Sequence, residues 1–432
     1  MGKENLRINF VEIDSLKASV YNPRKWDDVK KAKLRESIER FGLVNPLIAN
    51  SAPNRKNILI GGHFRLKVAK EMGYKEVPVV YLDIPDIEKE KELNLRLNKN
   101  TGEWDLELLK EFDLGVLLEV GFDDDDLSQI WDDSLETEDD NFQEEKELEK
   151  IEETEIKSGD LFEIGSHRLL CGDAHDPENI KRLMGGEKTS MIYTDPIYNI
   201  GVSYNKGISG NKSYGGKVDD NKSDSEYREF LRSGMRSAMS VANKAFHYFC
   251  YCDQRYIGMV QDIFRELGIE NKRVCMWIKN AQNPTPGVAF SKCYEPCVYG
   301  TVGSPYLSRN LQNLNEVMNK EIGTGNRLID DILDELDIWL AKRLAGNEYE
   351  HSTSKPPTLH EKAIRRCSKP GDVILDLYGG SGSTLIAAEM LKRRAYLTEI
   401  EPKFCQLIIN RHEKLTGRKA KLINNTKTND KN

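Results

Sequence analysis

Two short runs hold the residue types that could do chemistry. Thr194-Asp195-Pro196-Ile197-Tyr198-Asn199 sets a carboxylate, a proline carbonyl and an aromatic ring within four positions. Asp376-Leu377-Tyr378-Gly379-Gly380-Ser381-Gly382-Ser383-Thr384 joins a carboxylate to a glycine-rich turn and several hydroxyls. Each begins where an apolar, strand-like run stops, Ser-Met-Ile-Tyr-Thr-Asp in one case and Asp-Val-Ile-Leu-Asp-Leu in the other. Ligands of an open parallel sheet bind at the carboxyl ends of its strands, so the two loops can face one cleft. Gly379, Gly380 and Gly382 let the backbone approach a nucleotide-like ligand without obstruction. Ser383-Thr384 can then open a helix whose first amides favour an anionic or strongly polar group. No Gly-Lys-Ser/Thr follows, which excludes a P-loop, and the third glycine of a dinucleotide fingerprint is missing. Glu399 closes the next strand-like run, where a carboxylate can accept both hydroxyls of a ribose. In the other loop, the Asp195 carboxylate and the Pro196 carbonyl can accept hydrogen bonds from an exocyclic amine, and Tyr198 can stack on a planar base.

The elements around these loops read as an α/β domain. Residues 159–165 and 167–170 read as a hairpin, and 190–194, 245–250, 274–278, 373–377 and 395–400 as strands. A helix is expected over 383–391. Strands alternating with helices predict a largely parallel sheet. The polar, helical stretch 311–344 interrupts that alternation and reads as an insert within 301–352, suited to target recognition or dimerisation. Nearer the N-terminus, strand-like runs at 8–13, 45–49 and 57–61, a helix at 28–41 and a second helix entered through Gly61–Arg65 and running through Met72 predict a smaller α+β domain, Gly73 ending the second helix. Between the two lies an acid-dense stretch containing Asp123-Asp124-Asp125-Asp126 and Glu138-Asp139-Asp140. Such runs repel themselves and stay solvated. The expected division is therefore 1–115, an acidic linker 116–155, and 156–432.

A chain of 432 residues fits two or three domains. The net charge of -8 averages over very unlike segments, so it does not exclude local basic surfaces. No run of about 18 apolar residues predicts a membrane span, and the polar start, Met1 to Asn9, is unlike a secretory signal. The 8 cysteines contain no CxxC pair, which fits free thiols in a reducing cytoplasm. Cys250/Cys252 and Cys293/Cys297 lack complete ligand sets, so no metal is expected.

Lys355-Pro356, Leu359, Glu361-Lys362, Gly371-Asp372, the Asp376–Thr384 run and Glu399-Ile400-Glu401-Pro402 together closely resemble the cofactor-binding half of amino-methylating DNA methyltransferases. The resemblance implies a Rossmann-like fold and S-adenosylmethionine as cofactor. It places the methionine portion near Asp376, Tyr378, Gly380, Gly382 and Ser383, the ribose hydroxyls on Glu399, the adenine near Asp173 of Cys171-Gly172-Asp173-Ala174, and Lys355 over the methionine end. Asp195-Pro196-Ile197-Tyr198 resembles the family's Asp-Pro-Pro-Tyr motif with its second proline replaced, which implies Asp195, Pro196 and Tyr198 as the catalytic set. A catalytic motif preceding the cofactor motif is the order of the beta class. Aspartate in the first position favours adenine N6 over cytosine N4, where serine is more usual. The replaced proline leads us to expect weakened or altered activity, with a cofactor-sensing DNA-binding regulator as the non-enzymatic reading. Pro296-Cys297 matches the nucleophile motif of carbon-5 cytosine methylases only superficially, because no Glu-Asn-Val partner exists.

Asn22-Pro23-Arg24, Gly42-Leu43-Val44-Asn45-Pro46 and Gly61-Gly62-His63-Phe64-Arg65 resemble the ParB-like domain found fused to methylases of phages and mobile elements. Gly62 and His63 stand where that family has a Glu-Arg pair. The resemblance implies double-stranded DNA as partner, with Arg24, Arg65 and Lys31 as phosphate contacts. It leaves a homodimer and a restriction-modification partner open.

Overall fold

A computed structural model describes residues 7–23, 28–98, 104–131, 135–201, 220–283, 292–309, 311, 314, 316–318 and 355–423. They belong to two units, Met1–Ile130 and Trp131–Asn432. The insert expected around 311–344 lies almost wholly outside the described residues.

The first unit is α+β. Strands β1 (Ile8–Glu12), β2 (Leu47–Asn50), β3 (Leu59–Gly61) and β4 (Glu76–Leu82) form one sheet in the order β1-β4-β2-β3. Helices α1 (Asp28–Phe41), α2 (His63–Glu71) and α3 (Ile87–Asn98) are interleaved with them. Alternate strand positions Leu47, Ala49, Val77 and Val79 bury one sheet face with Leu66 and Ala69 of α2. Three short helices follow, α4 (Leu106–Leu109), α5 (Leu114–Val120) and α6 (Asp124–Ile130).

The acidic stretch departs from the solvated linker expected at 116–155. Asp113 caps α5 through the amides of Gly115 and Val116, and Leu114, Leu117, Phe122, Leu127 and Ile130 are buried. Helix α7 (Glu144–Glu149) belongs to the second unit. There, Asp140 makes a bidentate pair with Arg411 at 2.7 and 2.8 Å, and that guanidinium lies 4.0 Å from the Phe142 ring centroid. Leu148 and Ile151 pack on Leu407. A few well-spaced apolar residues and one buried cation hold what the density of carboxylates alone would leave in water.

The rest of the second unit is built on a nine-stranded sheet in the order β13-β5-β6-β12-β11-β7-β8-β10-β9. In chain order its elements are β5 (Leu161–Ile164), β6 (His167–Cys171), α8 (Pro177–Met184), β7 (Thr189–Thr194), α9 (Asp224–Met239), β8 (Ala242–Tyr251), α10 (Ile257–Glu266), β9 (Glu270–Asn283) and β10 (Lys292–Val302). After the insert come α11 (Glu361–Cys367), β11 (Val373–Asp376), α12 (Ser383–Met390), β12 (Arg394–Glu399), α13 (Pro402–Thr416) and β13 (Lys421–Leu422). The five central strands, β6, β12, β11, β7 and β8, run parallel. The pairs flanking them, β13-β5, β5-β6, β8-β10 and β10-β9, are antiparallel.

Side chains alternate across the sheet into two cores. Ile192, Tyr248 and Leu375 pack with Ile180 and Leu183 of α8, Leu231 and Met235 of α9, and Val260 and Phe264 of α10. Met191, Tyr193 and Ile374 pack on the opposite face with Ile364 of α11, Leu385 and Ile386 of α12, and Ile408 of α13. This is the Rossmann-like, three-layer α/β architecture expected from the sequence. β11 pairs with β7, Ile374 opposite Met191, although far more than a hundred residues separate them in the chain. Their carboxyl ends, Asp376 and Thr194, therefore open side by side.

Candidate active site

Several backbone groups of the loop after β7 are pinned by tertiary hydrogen bonds. The Tyr227 hydroxyl of α9 donates to the Ile197 carbonyl at 2.6 Å. Asn199 adopts a positive φ of 53°, which asparagine tolerates better than most residues. Its amide donates to Asp220 at 2.7 Å, and its side chain donates to the Lys222 carbonyl and the Tyr256 hydroxyl. The Asn199 carbonyl accepts from Arg255. The missing second proline would have fixed one backbone angle. Here tertiary hydrogen bonds at and beyond Ile197 fix the loop instead.

At the loop's start, Asp195 is held by two donors. Oδ2 takes the Lys355 ammonium in a direct ion pair, and Oδ1 takes the Tyr198 hydroxyl at 2.9 Å. The same hydroxyl lies 2.9 Å from Oε2 of Glu295, and Lys355 Nζ lies 3.5 Å from that oxygen. Nζ sits 4.6 Å from the ring centroid of Tyr251, 5.4 Å from Tyr198 and 5.8 Å from Trp277. Lys355 is 7% exposed. Burial alone would lower its pKa, but Asp195 and Glu295 outweigh burial and raise it, so it stays an ammonium. Burial, reinforced by the same two carboxylates, pushes the Tyr198 phenol well above its ordinary value. The sequence motifs suggested Lys355 for the cofactor's methionine end; in the structure its ammonium pairs with Asp195.

The loop after β11 offers a different surface. Gly380 and Gly382 have φ values of 51° and 82°. A Cβ on Gly380 would meet only the Tyr378 carbonyl, at 4.0 Å, so its outer side is open, whereas one on Gly382 would press on Ile408. Gly382 precedes Ser383, the first residue of α12. Asp376 is 3% exposed and accepts from the Tyr378 amide at 3.1 Å. Glu399 accepts from the amides of Gly380 at 2.8 Å and Glu401 at 2.9 Å. Burial pushes both carboxyls up to about 7 against these hydrogen bonds. Neither has a lysine or arginine partner among the described residues.

Other sequence candidates separate. Asp173 stands on the same strand-end edge, since the Gly172 amide donates to the Glu399 carbonyl. Its carboxylate binds His175, whose Nε2 lies 3.3 Å from the Tyr378 hydroxyl. The Tyr378 ring packs against Phe230 of α9. In the first unit, Lys31 pairs with Glu71 at 2.8 Å and Arg65 donates to the Asn45 carbonyl, while Arg24 lies outside the described residues. His63 is buried against Ser19, 2.7 Å from its hydroxyl, and burial lowers its pKa to about 4.

Sequence reasoning missed His360. It bridges Tyr193 at 3.1 Å and Ser383 at 2.9 Å, and Tyr193 continues to Tyr251 at 2.9 Å. This buried chain ties the tyrosine beneath Lys355 to the first turn of α12. Burial, aided by Lys355 and Arg411, lowers the His360 pKa to about 3, so the ring is neutral and can accept from one neighbour while donating to the other. Its position five residues after Lys355 was the available signal.

Cys297 is fully buried within β10, and burial raises its thiol pKa well above the ordinary range, which removes it as a nucleophile. His167, Glu389 and His412 form the one His/Glu cluster of metal-ligand spacing among the described residues. There, however, His167 Nδ1 accepts the Ala395 amide, so Nε2 carries the proton given to Glu389. Arg418 completes a structural ion pair at 2.6 Å.

Residues 189–410 match the family model described as DNA methylase, and residues 2–101 match the ParB N-terminal domain. The type II methyltransferase M.HpaI of Haemophilus parainfluenzae is 24% identical over 250 residues, covering 56% of this chain and 72% of that protein. A chromosome-partitioning ParB protein of Campylobacter jejuni is 36% identical over 96 residues, 22% of this chain and 34% of its own length. Among solved structures, the M1.HpyAVI-SAM complex aligns with a TM-score of 0.38 and 19% identity, covering 56% of this chain and 98% of that one.

Proposed function

Because the chain belongs to the DNA methylase family, we propose that it moves a methyl group from S-adenosylmethionine to the exocyclic N6 of an adenine flipped out of duplex DNA. The observation that carries this reading is the adjacency of β7 and β11. It sets the Asp195–Tyr198 loop beside the Asp376–Ser383 cradle at one sheet edge. The cradle fits the cofactor. Gly380 leaves room for it, and two buried carboxyls at about 7 favour a ligand that brings positive charge and hydroxyls. Bound S-adenosylmethionine supplies an electrophilic methyl on its sulfonium.

This chain's residues do the rest. An adenine amine is a weak nucleophile because its lone pair is delocalised into the ring. Asp195 and the Pro196 carbonyl accept its two N–H bonds and favour a more tetrahedral nitrogen. Tyr198 stacks on the base, returning roughly 1–3 kcal/mol of the unstacking cost. Alignment of nitrogen and methyl supplies most of the remaining acceleration. The nitrogen then sheds a proton, for which Asp195 is the adjacent acceptor. The ParB-like unit docks DNA through phosphate contacts, Arg65 and Lys31 among them, which give affinity without sequence information.

Mass spectrometry of nucleosides from unmethylated DNA, incubated with protein and S-adenosylmethionine, tests the reading. N6-methyladenine that disappears with Asp195→Ala supports it. N4-methylcytosine replaces the base assignment and keeps the reaction. Absence of both overturns the proposal.

A further inference from the structure

Asp195 already carries a donor on each oxygen, so an entering amine must share an oxygen with one of them or displace it. Oδ2 holds an ammonium and Oδ1 a phenol. The entering amine is an uncharged donor, so exchanging it for the ammonium on Asp195 gives up the ion pair. Displacing Lys355 into an apolar pocket with no anion would therefore oppose base entry. The site already contains an alternative. Glu295 sits on β10 opposite Trp277 of β9, so the strand pair fixes its position. Its Oε2 shares the Tyr198 hydroxyl with Asp195 and lies 3.5 Å from Lys355 Nζ. Closing to the ~2.8 Å of a charge-assisted bond needs less than about 1 Å of movement. The rings of Tyr251, Tyr198 and Trp277 surround Nζ, so a small shift stays over aromatic faces that favour a cation.

We propose that Glu295 is a positioning residue for base entry: it receives Lys355 when the target amine takes the place of that ammonium on Asp195. The proposal rests on the methyl-transfer reading above. The Tyr198 hydroxyl makes the same exchange, leaving Asp195 Oδ1 for Glu295 as its ring turns to the base. The buried Lys355 ammonium thus keeps a carboxylate partner throughout, and Asp195 keeps a donor.

The test is transfer of tritiated methyl groups to unmethylated DNA at saturating S-adenosylmethionine, for wild type, Glu295→Gln, Lys355→Met and the double variant. Glutamine keeps the size of Glu295 and an acceptor for Tyr198, but cannot neutralise the ammonium. Glu295→Gln is expected to lower kcat/KM for DNA by about 10- to 100-fold, the range for a lost charged hydrogen bond. Cofactor affinity, measured by calorimetry, stays unchanged. The decisive readout is rescue. With no ammonium left to relocate, the double variant recovers to the level of Lys355→Met alone. A structural role for Glu295 would leave the double variant at or below Glu295→Gln. Wild-type activity with additive losses, or with Glu295→Gln equal to wild type, overturns this inference and leaves the proposed function standing. Wild-type protein that transfers no methyl group to DNA removes the proposed function and this inference with it.

Discussion

The two loops that meet at the sheet edge solve opposite electrostatic problems. Asp195 carries its own counter-ion, since Lys355 reaches it from a segment 160 positions later in the chain. Asp376 and Glu399 have backbone amides and a hydroxyl but no cation among the described residues, and burial lifts both to about 7. The Asp195 loop is therefore already charge-compensated, and an entering donor must compete there. The Asp376–Glu399 side is not, and gains when a cation arrives. One chain thus separates a preorganised acceptor from a site whose charge depends on its ligand.

The largest expected effect breaks the catalytic half alone. Asp195→Ala removes the acceptor of the amine, and methyl transfer should fall by at least about 10²–10³-fold, the usual cost of losing one preorganised polar group. Cofactor binding should persist, because Asp376, Glu399 and the amides of α12 are untouched. Calorimetry alongside the methylation assay checks both. Loss of cofactor binding in that variant would mean the two loops are one electrostatic unit.

The second effect sharpens the cofactor half through pH. A carboxyl at about 7 in the free protein binds a cation best when ionised, so affinity for S-adenosylmethionine should rise from pH 6 to pH 8, with proton release. Glu399→Gln should weaken binding by about 10- to 100-fold, the range for a lost charged hydrogen bond, and flatten that slope. The linkage to stability has a definite sign. An acid whose folded pKa exceeds its unfolded value near 4 costs stability as pH rises above 4, and the cost is complete above 7. A bound cation offsets it, so the cofactor should raise Tm more at pH 8 than at pH 6. An equal shift at both values would show that neither carboxyl titrates there.

What could be read in advance follows the same division. The five central strands were readable because buried parallel strands leave continuous apolar runs, as Met191–Tyr193 and Val373–Leu375 do. Asp195 and Glu399 drew notice as candidates because each closes such a run, and Tyr198 and Gly380 because each follows one within four residues. The partners were not readable. That Lys355 meets Asp195 depends on the path of a chain returning after the insert, and sequence spacing carries no such information. Tyr227 and His360 were hidden for a related reason. One is a buried aromatic in a helix and the other follows a proline pair, and only the tertiary structure shows which carbonyl or hydroxyl each meets. The acidic stretch misled because composition averages over Leu148 and Ile151, whereas burial acts on each residue separately.

The next effect tests how the catalytic loop keeps its shape. Tyr227 donates to the Ile197 carbonyl from α9, so Tyr227→Phe removes one hydrogen bond and little volume. Stability should fall by about 1 kcal/mol, and kcat by roughly tenfold if loop position limits alignment. Thermal unfolding and steady-state kinetics separate the two. A variant that loses stability but keeps kcat would place the loop's rigidity in Asn199 and Asp220 instead.

The smallest effect falls at Ile197, the residue that departs most visibly from the family pattern. Sequence alone led us to expect weakened or altered chemistry, because isoleucine leaves free a backbone angle that proline would fix. In the folded protein that freedom is already removed by the Tyr227 bond to its carbonyl and by the Asn199–Asp220 and Asn199–Lys222 pairs beyond it. Ile197→Pro should therefore change kcat by less than about threefold, because a compatible proline acts chiefly on the unfolded chain, by roughly 0.4–1 kcal/mol. The contrast appears in the Tyr227→Phe background, where the clamp is gone. There, proline at 197 should recover most of the activity that the phenylalanine removed. If Ile197→Pro alone raises activity by orders of magnitude, the clamp is not what holds the loop, and the wild-type catalytic half is poorly organised as it stands.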